Sequence, residues 1–287
     1  MNRARISLLI AGLCLAGAAC DHVQTPETVK IPLQSCSGLP CFDATFGGTK
    51  LKLLLSLADQ TSYLSPLAIV KADSKRPAKE IGKVRRFKVG SLELSDLFAI
   101  DDTLQGAVPK GPETLNPPAD GTLSYNAFSD RLVVLNIPGH VLEISAAPLT
   151  RPACPANCSQ LHDSRATDMG GGVTLTTDGF AAGNVPLRAR VDTVFPGAVA
   201  VTDPIKGLRT EDGRPAEGTY HGSTLSYLEA APIYFAGKPV ASSASVVRAN
   251  DLFSIVGPKY DSAVGLAILS AGTYAFDFRS MKMWRRE

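Results

Sequence analysis

The sequence has little surplus charge of either sign, only four histidines and a single tryptophan. Its 29 Lys and Arg residues nearly balance 27 Asp and Glu residues, leaving a formal charge of +2. Because nucleic-acid binding depends on a large positive field, this balance argues against a nucleic-acid partner. The 20 prolines and 25 glycines favour short strands and turns over long helices. The 287 residues suffice for two domains.

The N-terminal stretch MNRARISLLIAGLCLAGAAC resembles an export signal, because basic residues precede an apolar core. Small residues lead to Cys20, as they do before the acylated cysteine of bacterial lipoproteins, although that motif prefers Leu where Gly17 stands. We therefore expect residues 1–19 to be a signal peptide, Cys20 to be lipidated and residues 20–41 to be a tether. Ordinary signal-peptide cleavage is the alternative. Either route leads to the cell envelope, where a lipid-anchored chain would face the periplasm from the inner or outer membrane.

The other cysteines agree with export. Cys36 and Cys41 in CSGLPC, and Cys154 and Cys158 in CPANC, form two close pairs separated by turn residues. In an oxidising compartment such pairs favour two local disulfides, although four cysteines allow three pairings. A metal site built from Cys154, Cys158 and His162 is the alternative, but it lacks a fourth ligand. No metal and no cofactor is expected.

The rest of the chain has the pattern of β-strands. FDATFGGTKLKLLLSL, KVRRFKVGSLELSDLFAI and DRLVVLNIPGHVLEI each predict two strands around a turn. Residues 149–172 are rich in Pro, Gly and polar residues and are predicted to be a linker. The linker separates an N-terminal lobe at residues 42–148 from a C-terminal lobe at residues 173–287.

The second lobe repeats the first. VPLRARVDTVFPGAVAVTDP aligns with TKLKLLLSLADQTSYLSP at an offset of 136 residues (192 − 56). IYFAGKPV aligns with FKVGSLEL at 147 (237 − 90), and DSAVGLAIL aligns with DGTLSYNAF at 141 (261 − 120). Differences in loop length between the two lobes would account for the differences among the three offsets. The chain is therefore predicted to contain two copies of one β domain.

Each copy resembles one lobe of the pepsin and retropepsin family of aspartic peptidases. In that family a strand ends in apolar-Asp-Thr-Gly, and a later apolar-apolar-Gly segment passes behind it. RVDTVFPGAVAV is similar to the first element and DSAVGLAIL to the second, with Asp192, Thr193 and Gly265 in place. The resemblance implies an all-β fold of two similar barrel-like lobes with a cleft between them.

The first lobe departs from the family motif. Ser56 stands at the position of Asp192, Leu57 at that of Thr193, and Ser124 at that of Gly265. The family's chemistry needs two carboxylates that share a proton, one acting as base and the other as acid. A serine hydroxyl hardly ionises at neutral pH. Leu57 also lacks the hydroxyl that, in the family, links the two active-site loops.

Two further glycine positions of the family motif are also substituted. Ala58 and Val194 stand where the family has glycine. A side chain at these positions should crowd the closely approaching backbone. These departures indicate an incomplete catalytic site.

Asp59 is the candidate for a replacement carboxylate. A shift of three residues would align it with Asp192 but would exchange the two faces of the strand, so we place Asp59 on the following turn, from which it could still reach the cleft. Asp120 and Asp261 are interpreted as turn residues. His140 and His221 are interpreted as loop residues, of which His221 could line the cleft.

Two functions fit these residues. The first is a non-catalytic relative of aspartic peptidases that binds an extended polypeptide or an envelope protein through main-chain hydrogen bonds. The second is an active aspartic endopeptidase that uses Asp192 with Asp59. A homodimer that pairs two copies of Asp192 is disfavoured, because the second lobe already fills that place.

Overall fold

The structure, a computed structural model, describes residues 28–72, 83–100, 119–146, 157–165, 173–201, 207–208, 215–220, 223–249 and 261–286. These residues fold almost entirely into β-strands. We call residues 28–146 the first half and residues 157–286 the second half. The predicted signal segment, Cys20, Cys154 and His221 all lie outside the described residues. Within the described ranges, none of the helices is both long enough and apolar enough to span a bilayer.

Short hairpins and two short helices make up the first half. Its strands are β1 (Val29–Pro32), β2 (Gln34–Cys36), β3 (Leu39–Phe46), β4 (Thr49–Ser56), β5 (Ser62–Leu64), β6 (Lys83–Val89), β7 (Leu92–Ile100), β8 (Gly121–Ser124), β9 (Arg131–Asn136) and β10 (Val141–Ala146). Helix α1 (Pro66–Ala72) follows β5, and a 3-10 helix (Tyr125–Phe128) follows β8.

The second half has the same kinds of elements. Its strands are β11 (Cys158–Arg165), β12 (Val173–Ala182), β13 (Val185–Val191), β14 (Val199–Val201), β15 (Pro215–Tyr220), β16 (Ser223–Phe235), β17 (Lys238–Ala249), β18 (Ser262–Val264), β19 (Thr273–Asp277) and β20 (Lys282–Arg286). Helix α2 (Leu266–Leu269) follows β18, as the 3-10 helix follows β8.

The two halves share one sheet. Six of its strands run in the order β1-β10-β9-β19-β20-β11, three from each half. β9 and β19 are antiparallel, and Val134 lies opposite Ala275. That pair is related by the predicted offset of 141 residues (275 − 134), so an approximate twofold axis passes between these two strands. The halves therefore join through main-chain hydrogen bonds as well as through side chains.

Strand registers confirm the internal repeat. In the first half β4 and β8 are parallel, with Leu54 opposite Thr122. In the second half β13 and β18 are parallel, with Arg190 opposite Ala263. Offsets of 136 and 141 residues convert the first pair into the second. The all-β, duplicated fold class predicted from the sequence is confirmed.

Strands lie inside both segments that composition assigned to a tether and a linker. β1, β2 and the start of β3 fall within residues 20–41, and β11 falls within residues 149–172. β1 pairs with β10 and β2 with β3, just as the two ends of β11 pair with β20 and β12. The predicted tether and linker therefore contain the first strand of each half. Their polar and Pro-rich composition hid these strands, of which β1 and the start of β11 pair with partners distant in sequence.

Turns and disulfides follow the sequence closely. Gly47 and Gly48 connect β3 to β4 with positive φ, a conformation that glycine adopts at low cost. Cys36 and Cys41 form the predicted local disulfide. Cys158 is also disulfide-bonded, so its sulfur is not available as a thiolate ligand, and the alternative metal site loses a donor.

Asp120 and Asp261 have the same role in the two halves. Asp120 accepts a hydrogen bond from the backbone N–H of Lys52, and Asp261 accepts one from that of Arg188. Each carboxylate therefore ties the start of β8 or β18 to the neighbouring strand, a more specific role than the turn function inferred from the sequence. Burial raises the pKa of Asp261 despite these hydrogen bonds.

The close approach of backbone at Gly265 yields a first prediction. A Cβ at Gly265 would lie 2.4 Å from the carbonyl oxygen of Gly197 and 2.5 Å from that of Phe195. Backbone atoms cannot move aside easily, so Gly265→Ala should lower the free energy of unfolding by about 3 kcal/mol. Gly183→Ala is the control, because that site is open and only its positive φ resists Ala, at about 1 kcal/mol. Equal losses in urea denaturation would contradict the steric argument.

Candidate functional site

Ser56 and Asp192 hold equivalent positions in the two halves. Ser56 ends β4 opposite Ser124 of β8. Asp192 directly follows β13, one residue beyond the pairing of Val191 with Val264, and its N–H donates to the Val264 carbonyl. Both side chains are buried. The register thus places a hydroxyl in one half where the other half has a carboxylate.

Thr193 links the loops that follow these two strands. Its Oγ1 donates to the carbonyl oxygen of Leu55 at 2.6 Å and accepts from the N–H of Leu57 at 2.9 Å. Leu57 has no hydroxyl with which to return these bonds. These hydrogen bonds between the two loops therefore come from one threonine, whereas a threonine at each position would form a symmetric pair.

Asp59 lies on the turn after β4 and faces the second half. Its Oδ2 accepts a hydrogen bond from Ser56 Oγ at 2.6 Å, and its Oδ1 accepts one from Arg190 Nη2 at 2.8 Å. The backbone of Asp59 forms an antiparallel bridge with Thr174, and Ala58 O accepts bonds from Leu175 N and Thr174 Oγ1. The turn is thus fastened to β12.

Arg190 joins Asp59 to Asp192. Its Nε lies 3.2 Å from Asp192 Oδ2, and its Nη2 bonds Asp59. One guanidinium therefore contacts carboxylates from both halves. The Arg190 and Asp192 side chains are each only 1% exposed, while that of Asp59 is 26% exposed. We call these three residues the Asp-Arg-Asp cluster.

Sequence reasoning did not identify Arg190. A signal was present, because residues two apart on a strand share a face and Arg190 is two residues before Asp192. The equivalent residue of the first half is Leu54, which makes a charged side chain at this position unusual within the repeat. The partner on the other side, Asp59, could not be assigned to Arg190 without the fold.

The surroundings of the two equivalent strands differ in polarity. Across β2, β3 and β4 the row is Gln34, Cys41 and Leu54, and across β11, β12 and β13 it is His162, Thr176 and Arg190. The Cys36–Cys41 disulfide therefore corresponds to the hydrogen bond between Ser164 Oγ and Thr176 Oγ1, at 2.8 Å. Apolar contacts surround this row in the first half, whereas buried hydroxyls surround the equivalent row in the second half.

Ser124 has a defined structural role. Its hydroxyl lies 2.9 Å from Gln60 O and 3.0 Å from Asp96 Oδ2. Asp96 is buried and also accepts hydrogen bonds from Ser62 Oγ and from Asn126 Nδ2. In the second half Gly265 has no side chain and donates from its N–H to Ala198 O. A polar cluster therefore accommodates Ser124 in the first half, at the position that Gly265 holds in the second half.

Tyr125 connects the edge of the site to the second half. Its hydroxyl donates to Asp163 Oδ1 at 2.7 Å, and its N–H donates to Asp59 O. Burial raises the pKa of the Tyr125 phenol, and the hydrogen bond to Asp163 raises it further. The phenol therefore stays protonated and acts as a hydrogen-bond donor across neutral pH.

Other residues singled out from the sequence lie elsewhere. His140 occupies the turn between β9 and β10 with a φ of 53°. His162 Nε2 lies 3.7 Å from Asp178 on an exposed surface. Among the residues that the structure describes, no group of three or more potential ligands is placed to hold a metal ion. Val194 belongs to the loop that carries Asp192, and its N–H donates to Asp192 Oδ1, whereas Gly265 packs against that loop from the end of β18.

Comparisons with known proteins concern the fold alone. No protein-family model matches the sequence, and no curated protein matches it. The crystal structure of an aspartic proteinase from Irpex lacteus is similar to this chain, with 11% identity and a TM-score of 0.48. The similarity covers 90% of this chain and 97% of that one. A likeness of this degree says nothing about activity.

The buried charges yield a second prediction. Arg190→Leu introduces the residue found at the equivalent position of the first half, but it leaves Asp192 buried beside Asp59 without their shared cation. We expect the free energy of unfolding to fall by about 3–5 kcal/mol. The matched control is Arg188→Leu on the same strand, which removes an exposed ion pair with Asp178 and should cost less than about 1 kcal/mol.

Denaturant unfolding at neutral pH measures both variants. Adding Asp192→Asn to Arg190→Leu should recover part of the loss, because the buried charge is then removed. An Arg190→Leu variant as stable as the unchanged protein would contradict the central position assigned to this guanidinium.

Proposed function

We propose that this chain is a non-catalytic relative of aspartic peptidases, exported and held at the envelope membrane, that binds an extended polypeptide or an envelope protein. The observation that carries the proposal is the Asp-Arg-Asp cluster. Peptide hydrolysis by two aspartates requires them to share a proton and to hold one water between them. Here the Arg190 guanidinium lies 2.8 Å from Asp59 Oδ1 and 3.2 Å from Asp192 Oδ2, so a fixed cation contacts both carboxylates.

The substitutions in the first half point the same way. Ser56 directs its hydroxyl to Asp59 and cannot serve as the second titrating group. Leu57 lacks the hydroxyl that would return the hydrogen bonds of Thr193. Several parts of the mechanism are therefore changed together. This combination favours a site maintained for structure over one maintained for hydrolysis.

Binding of a polypeptide is supported by the end of the long sheet. β15 pairs with β16, and it is the last strand in the sheet order. Within the described ranges no strand pairs with its outer edge. An extended peptide can add to such an edge through main-chain hydrogen bonds. The N-terminal segment and the Cys36–Cys41 disulfide support export into an oxidising compartment.

One observation favours the alternative of an active endopeptidase. Asp59 comes from the turn after β4 and contacts the same guanidinium as Asp192, so two carboxylates from the two halves do converge. Hydrolysis would require the Arg190 guanidinium to move away from the two carboxylates and a water molecule to enter between them. The buried position of Arg190 opposes that movement.

A cleavage assay separates the two functions. We expect no cleavage of casein or of a peptide library between about pH 3 and pH 7, the range in which aspartic dyads work. The unchanged protein and Asp192→Asn should be indistinguishable, with and without pepstatin. An active aspartic peptidase in parallel shows that the assay works. Pepstatin-sensitive cleavage that disappears in Asp192→Asn would establish the endopeptidase instead.

Peptide binding is tested at the strand edge. Peptides selected from a random library on the immobilised chain should slow amide hydrogen exchange within residues 216–220, because added main-chain hydrogen bonds protect those amides. The same peptides with alternate residues replaced by proline lack the required N–H groups and serve as controls. Equal protection by both sets, or protection elsewhere only, would argue against this edge.

A further inference from the structure

The hairpin of β6 and β7 exposes two aliphatic side chains side by side. Val84 is 64% exposed and Leu97 is 45% exposed, and they are partners in the strand register. Because alternate residues share a face, Arg86 and Lys88 project from the same surface, and both are exposed. Apolar and basic groups are therefore neighbours on one outer face.

The neighbouring strands extend this surface. Lys88 lies opposite Thr45, which lies opposite Lys50, so a second cation belongs to the same row. The next row of the β3–β4 pair adds Lys52 beside Asp43. Glu93, opposite Lys88, is the other carboxylate. We call this surface the basic face; it consists of Asp43, Lys50, Lys52, Val84, Arg86, Lys88, Glu93 and Leu97. Its four cations exceed its two carboxylates.

The chain enters the fold beside this hairpin. β1 begins at Val29, and a Cβ on Gly90 at the hairpin tip would lie 3.3 Å from Val29 Cγ1. Val29 is nine residues beyond Cys20 (29 − 20). Fully extended, that stretch would span at most roughly 32 Å. An anchor at Cys20 would therefore hold the hairpin tip within that distance of the membrane.

We propose that the basic face docks on anionic phospholipid headgroups, with Val84 and Leu97 entering the interfacial region. This inference rests on the membrane attachment in the proposed function and assigns an orientation to it. Each basic side chain near an anionic leaflet strengthens the attraction about fivefold, and exposed aliphatic side chains add apolar contact. The polypeptide-binding edge at β15 belongs to the other half and is not part of this surface.

The test uses tryptophan fluorescence in the full chain. The sequence has one tryptophan, Trp284, so Val84→Trp in a Trp284→Phe background reports from the basic face alone. Brominated phosphatidylcholine vesicles, with or without an equimolar amount of phosphatidylglycerol, act as the quencher. We expect strong quenching with phosphatidylglycerol and weak quenching without it. Ser242→Trp in the same background is the control, because residue 242 is exposed on β17 of the second half.

Charge variants test the cause. Arg86→Gln with Lys88→Gln should lower the ratio of docked to undocked chains roughly 25-fold on the anionic vesicles. High salt should act in the same direction. Absence of quenching at residue 84, or equal quenching on both vesicle types that survives the double substitution, would overturn the inference.

Vesicle flotation tests the anchor of the proposed function separately from docking of the basic face. A chain that floats with phosphatidylcholine alone is anchored, whether or not residue 84 is quenched on anionic vesicles. A chain that does not float with phosphatidylcholine contradicts the proposed anchor, while quenching at residue 84 on anionic vesicles would still support the basic face.

Discussion

The buried Arg190 guanidinium is the interaction on which the rest of the site depends. It lies between Asp59 of the first half and Asp192 of the second, and it is shielded from water. Removing charges from water is costly unless each is paired. The cluster therefore requires both halves to be in place, with the Asp59 turn fastened to β12 and Thr193 bonded to the loop beyond β4.

Duplication supplied a nearly symmetric backbone, and substitution made its two sides chemically different. Equivalent registers relate β4 and β8 to β13 and β18, yet Leu54 corresponds to Arg190 and Ser56 to Asp192. A disulfide occupies the position that a serine–threonine hydrogen bond occupies in the other half. Such differences are tolerated because the shared central sheet holds both halves through main-chain bonds that do not depend on side-chain identity.

Local patterns predicted local structure well. Alternating apolar residues and Gly turns identified the hairpins β3–β4, β6–β7 and β9–β10, and the close spacing of Cys36 and Cys41 identified their disulfide. Composition did not indicate β1, β2 or β11. β1 and the start of β11 pair with segments more than 100 residues away, so their own sequences carry little sign of a strand.

The sequence by itself determined that the chain is β-rich and duplicated, and that the first half lacks the aspartate and threonine present in the second. These are properties of residue type and spacing, which the linear chain already contains. Only the tertiary structure decided that Arg190 contacts both Asp59 and Asp192. The contact between Asp59 and Arg190 joins residues 131 positions apart, and it depends on a turn whose direction is set by its pairing with β12. Burial of the guanidinium likewise arises only when the two halves close around it.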